Sequence, residues 1–112
     1  MLENSNEIKC IILAYGINAN EIADRIESFA FDKKFTVEET IINENGIYDK
    51  IVNYIKEGNI SAILVRSILD IPVNIEEVKS LIKIAEEYDV SINEEKNGWN
   101  RLKSSEEMEN DC

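Results

Sequence analysis

The residues of this chain best placed to do chemistry are Arg66, Ser67 and Asp70, within the stretch ISAILVRSILDIPVN at residues 60–74. Ile60 to Val65 reads as a buried strand running into a loop that opens a helix at Asn74. In parallel α/β domains the carboxyl end of a strand is where sites are built. A guanidinium there binds phosphate or carboxylate, a hydroxyl is a nucleophile once a base activates it, and a carboxylate supplies a base or a partner for the arginine. Ser67 has no His or Lys beside it in sequence, and it reads as a loop or cap serine. Asp70, just before Ile71-Pro72, reads as a turn residue. Arg66 has two uses open to it: pairing with Asp70 or Glu44, or binding an anion.

The wider inventory is poor in reactive groups. There is no histidine, which removes the commonest general base and metal ligand. Cys10 and Cys112 are too few and too far apart for a zinc site or a disulfide framework, and Cys10 lies in an apolar run as a core thiol. Neither G-x-G-x-x-G nor G-x-x-x-x-G-K-[ST] is present, so Gly16 reads as a turn residue rather than a phosphate cradle. No cofactor and no metal is expected.

These side chains need a frame. Residues 8–17, IKCIILAYGI, form a continuous apolar run, as in a strand buried on both faces. Asn18 and Asn20 offer N-caps to a helix over about 21–31, with Ile22, Ala23, Ile26, Phe29 and Ala30 on one face. Phe35 to Ile42 alternates as an edge strand does. After the turn Asn43-Glu44-Asn45-Gly46, a helix spans about 47–57 and Gly58 closes it. The third strand is 60–65. A third helix, about 75–88, starts with Asn74 as cap and Glu77 three residues on, a capping-box variant. Val90 to Asn93 is a short fourth strand. The order βαβαβαβ predicts a mainly parallel four-stranded sheet, order 2-1-3-4, with helices on both faces.

Charge narrows the partners. The 112 residues carry 12 Lys and Arg against 23 Asp and Glu, a formal net charge of −11. Such a surface repels duplex DNA, whose non-specific affinity comes from neutralised phosphates. No apolar run approaches the roughly 20 residues of a membrane span. The start, MLENSNEIK, lacks the basic-then-apolar order of a secretory signal, so the cytoplasm is the expected compartment.

Two families share this element order. A phospho-acceptor receiver domain needs paired acids after its first strand and an Asp closing the third. Here Tyr15-Gly16-Ile17-Asn18 holds no acid, and Asp70 lies five residues past Val65. A closer match joins the strand order, the turn Ile42-Asn43-Glu44-Asn45-Gly46, the segment Lys56-Glu57-Gly58-Asn59-Ile60 leading into Ala62-Ile63-Leu64-Val65-Arg66, and Asp89-Val90-Ser91-Ile92 after the third helix. Over about residues 8–95 these resemble the catalytic domain of serine recombinases of the resolvase/invertase family. That resemblance implies a three-layer α/β resolvase-like domain. It also implies a Ser nucleophile two residues after an Arg at the end of the first strand, and an arginine clamp after the third. At the matching positions this chain has Tyr15 and Ile17, or Asn18 if shifted by one. After Arg66 it supplies none of the family's further arginines. Without nucleophile and clamp, the charge on a transferring phosphoryl group has nothing to stabilise it.

The expectation is a resolvase-like domain over residues 1–95, followed by an acidic tail, 96–112, that is partly disordered or a short helix. It is catalytically inactive, binds a protein partner or regulates one, and has a possible link to a mobile element. The family's dimerisation helix and basic DNA-binding domain would begin where this chain ends, which fits either an excised domain or a small protein. Two alternatives stand: a small enzyme or anion-binding protein using Arg66, Ser67 and Asp70, and an acidic inhibitor that mimics DNA. Candidate contacts for a partner are Tyr48, Tyr54, Ile71, Val73 and Trp99, with Trp99 also a docking anchor for the C-terminal segment. Because a stable interface buries about 800 Å² per partner, and −11 of charge opposes pairing, a monomer or weak homodimer is expected.

Overall fold

The computed structural model describes residues 7–103. Strands β1 (Lys9–Ala14), β2 (Thr36–Ile42), β3 (Ala62–Val65) and β4 (Ser91–Glu94) alternate with helices α1 (Ala19–Asp32), α2 (Ile47–Glu57) and α3 (Ile75–Glu87). The sheet is parallel throughout, in the order β2-β1-β3-β4, as the alternation of elements predicts. Successive strand side chains point to opposite faces, and both faces are covered. Cys10, Ile12, Ala14, Ala62 and Leu64 pack under α1 against Ala23, Ile26 and Ala30. Ile11, Leu13, Ile63, Val65 and Ile92 pack on the other side against α2 and α3, through Ile51, Ile55, Leu81 and Ala85. This two-sided burial explains the unbroken apolar runs of β1 and β3. It also raises the Cys10 thiol to about 11, first through desolvation and then through the charge of Glu38.

Strand β1 is shorter than its apolar run. It ends at Ala14, Tyr15 is still buried, and Gly16 turns the chain away at φ +113, a conformation suited to glycine. Ile17, the last apolar residue of the run, is therefore wholly in water. Strand β2 lies at an edge as expected, with a register shift around Glu38 that leaves this acid unpaired with β1. A bulge and charges on an edge discourage pairing with another sheet.

The helix ends follow the predicted chemistry at one site and depart from it at another. At α3, Asn74 Oδ1 accepts from Glu77 N at 2.8 Å and Glu77 Oε1 accepts from Asn74 N at 3.1 Å, a complete capping box. At α1, Asn18 occupies the N-cap position but its side chain makes no capping bond, and Asn20 lies inside the helix.

After β4 the chain forms a short 3-10 turn, Glu95–Asn97, and reverses through Gly98 and Trp99, both at positive φ. Arg101 bridges antiparallel to Asn93, and Leu102 N donates to Ile92 O at 2.8 Å. The Trp99 ring stacks on Phe29 of α1, with centroids 4.1 Å apart and planes 10° from parallel. Trp99 thus anchors the returning segment to the domain. A cavity of about 260 Å³ lies beside this stack, walled by Phe29, Phe35 and Trp99 and floored by Ala62 and Ser91. Residues 104–112, most of the acidic tail, lie outside the described residues. Among the described residues no helix is long and apolar enough to cross a membrane.

Candidate functional site at the carboxyl ends of the strands

Three loops and the segment after β4 meet at the carboxyl ends of the strands. The first two loops are tied together by an amide clamp. Gly16 N donates to Asn43 Oδ1 at 2.9 Å, and Asn43 Nδ2 donates to Gly16 O at 3.2 Å. The Tyr15 hydroxyl adds a bond to the Glu44 carbonyl at 2.7 Å. Burial, then the charge of Glu44, raises the Tyr15 phenol above its ordinary range.

Beside this clamp lies an open depression of about 450 Å³, lined by Tyr15, Asn18, Glu21, Arg25, Arg66 and Asp70 among others. Its two guanidinium groups are both engaged. Arg66 Nε and Nη2 donate to the two oxygens of Asp70 at 2.8 and 2.6 Å. Arg25 Nε and Nη2 donate to the two oxygens of Glu95 at 2.6 and 2.7 Å. Bidentate geometry of this kind is the strong form of the arginine–carboxylate bond. It raises Arg66 and Arg25 further above their ordinary value and holds Glu95 below the usual carboxylate range.

Of the partners open to Arg66, the fold selects Asp70. Glu44 instead receives Lys50 Nζ at 3.2 Å. Ser67 is 4% exposed and caps the 3-10 turn Ile68–Asp70, its Oγ accepting from Leu69 N at 3.3 Å. Glu94 accepts from Ile68 N at 2.7 Å and fixes the same turn to the end of β4. The sequence candidates Arg66, Ser67 and Asp70 do come together, as a cap and an ion pair.

The candidate partner contacts are drawn inward. Ile71 is 4% exposed and belongs to the core, and Val73 packs against that core. The Tyr48 hydroxyl shares a 2.8 Å hydrogen bond with Ser80 Oγ, joining α2 to α3. The Tyr54 hydroxyl donates to Glu39 at 2.6 Å, and Lys50 donates to the same carboxylate at 2.8 Å. That carboxylate pushes the Tyr54 phenol up to about 12, while the Lys50 and Tyr54 hydrogen bonds hold Glu39 low. What reasoning from sequence passed over is Arg25 with Glu95, 70 residues apart, and the exposed Ile17 and Leu69. The one available signal for Ile17 was the glycine before it.

Among the described residues no group of three or more His, Cys, Asp or Glu is placed to hold a metal ion. The arrangement can neutralise charge and fix loops. No protein-family model matches the chain, and no curated protein matches it.

Proposed function

We propose that this chain is a resolvase-like domain without strand-exchange chemistry, working as a protein-interaction or regulatory module. The observation that carries the reading is the pairing of both arginines of the depression with carboxylates of the same chain. Both guanidinium groups are held two-handed by carboxylates of the same chain, and the Ser67 hydroxyl serves a turn. A phosphoryl group entering there meets the carboxylates of Glu21 and Asp70 beside the two arginines, and like charges at that range repel. Ile17, where the resemblance puts a nucleophile, has no atom that can attack phosphorus.

The test is incubation with supercoiled DNA under conditions that trap a covalent protein–DNA adduct. No adduct and no nicking are expected. An adduct abolished by Ser67→Ala would locate a nucleophile and end the proposal. A second reading, anion binding, is favoured by one observation: Arg25 and Arg66 line the same depression. The ion pairs use Nε and Nη2 of each guanidinium, so an anion would bind through the N–H groups of Nη1.

A further inference from the structure

Of the seven large apolar side chains exposed among the described residues, four stand at one end of the molecule, with Ile8, Phe31 and Tyr88 elsewhere. Ile17 is 102% exposed, Leu69 70% and Ile75 56%, and Ile42 is also exposed. Ile17 follows β1, Ile42 ends β2, Leu69 lies in the turn after β3, and Ile75 opens α3. All four therefore stand at the carboxyl ends of the strands, and Ile17 also lines the depression there. Scattered exposed aliphatics are ordinary, whereas several on one rim mark an interaction site.

Ile17, Leu69 and Ile75 are also held in place. The Asn43 clamp fixes Gly16 on both its N–H and its C=O, immediately before Ile17. Ser67 Oγ bonds the amide of Leu69, and Glu94 bonds the amide before it. The capping box sets the backbone at Ile75. Ordering loops on binding opposes affinity, so anchors already fixed by their own hydrogen bonds bind at lower entropic cost.

The charge around these anchors selects the partner. Glu21 and Glu76 stand in the first turns of α1 and α3, and the chain as a whole is at −11. Arg25 and Arg66 do little to offset that field, because Glu95 and Asp70 already neutralise them. Complementary charge steers association and suppresses wrong partners. A second copy, also at −11, is repelled, as is an anionic lipid surface.

We infer that the loops at the carboxyl ends of the strands form a docking face for a basic segment of another protein, one that presents aliphatic side chains between Lys or Arg residues. The inference rests on the protein-interaction reading above and names its partner's chemistry.

The probe is a synthetic 18-residue peptide of Leu and Lys, with Leu at helical i, i+3, i+4 spacing, titrated into the 15N-labelled chain. Saturable shifts are expected at residues 15–18, 42–46 and 66–76. The double variant Ile17→Ser, Leu69→Ser should weaken binding at least tenfold with its thermal midpoint unchanged. Phe31→Ser, at the opposite end of the sheet, should leave binding as it was. Equal binding by a peptide with Ser in place of Leu would overturn the inference, as would shifts centred elsewhere. Self-association abolished by the double variant would name a second copy as the occupant and overturn it too. Failure here leaves the absence of an adduct with DNA untouched, and an adduct would leave the peptide result standing, so the two proposals fail separately.

Discussion

Replacing Ile63 by alanine should destabilise the domain by about 3–4 kcal/mol, while Ile17→Ala should change stability by less than about 0.5 kcal/mol. Ile63 is 1% exposed on β3, between β1 and β4, and faces the layer formed by α2 and α3. Truncating it removes buried methyl groups and leaves a cavity in a sheet whose backbone is hydrogen-bonded on both sides and cannot collapse inward. Total stabilities are only about 5–15 kcal/mol, so the change removes a large share of the whole. Ile17 has the same side chain and no packing to lose. Urea unfolding of the two variants makes the comparison. A loss above about 1 kcal/mol for Ile17→Ala would mean that Ile17 is packed against something, contrary to its exposure.

The second large effect is expected at Trp99. Trp99→Ala should cost roughly 2 kcal/mol, below the 3–5 kcal/mol of a fully buried aromatic because the ring is only half-buried. The stack on Phe29 would be lost, and the cavity beside it would open to water. Without that anchor, the amides of Leu102 and Lys96, bonded to Ile92 O and Arg66 O, should exchange hydrogen faster than those of β1. Backbone conformation supplies an internal control. Trp99 sits at φ +66, where alanine is strained and glycine is not, so Trp99→Gly should be about 1 kcal/mol less harmful than Trp99→Ala. Unchanged exchange at Leu102 would mean that the ring does not hold the segment, and equal losses for the two variants would mean that the backbone at residue 99 is not strained.

The frame was readable in the sequence because its signals are local. The apolar runs of β1 and β3 announce strands buried on both faces, and the alternation of elements then orders the sheet. Asn74 and Glu77 announce a cap because the two groups that bond lie three residues apart. Arg66 and Asp70, at i and i+4, were legible as one of the pairings open to the arginine, with Glu44 and an anion as the others. What stayed hidden depends on long-range geometry. Arg25 meets Glu95, and Phe29 meets Trp99, only once α1 lies over the sheet and the chain has returned past β4. Ile17 was misread as strand because apolar periodicity cannot register a reversal of backbone at a single glycine. Ile71 looked available because hydropathy does not tell a loop residue that turns inward from one that turns out. Asn18 has a favoured N-cap side chain, but the amide that fixes this loop comes from Asn43, on another element.

The two arginines of the depression at the strand ends are held by carboxylates of the same chain rather than kept for an anion. Nitrogen-detected NMR of the arginine side chains tests it most directly. Nε–H signals of Arg25 and Arg66 should be sharp and slow to exchange, each with contacts to Glu95 or Asp70. They should not move as inorganic phosphate is added to tens of millimolar at constant ionic strength. A saturable shift of both signals at about 1 mM phosphate, a binding free energy near −4 kcal/mol, would show the two arginines serving an anion and would contradict the account.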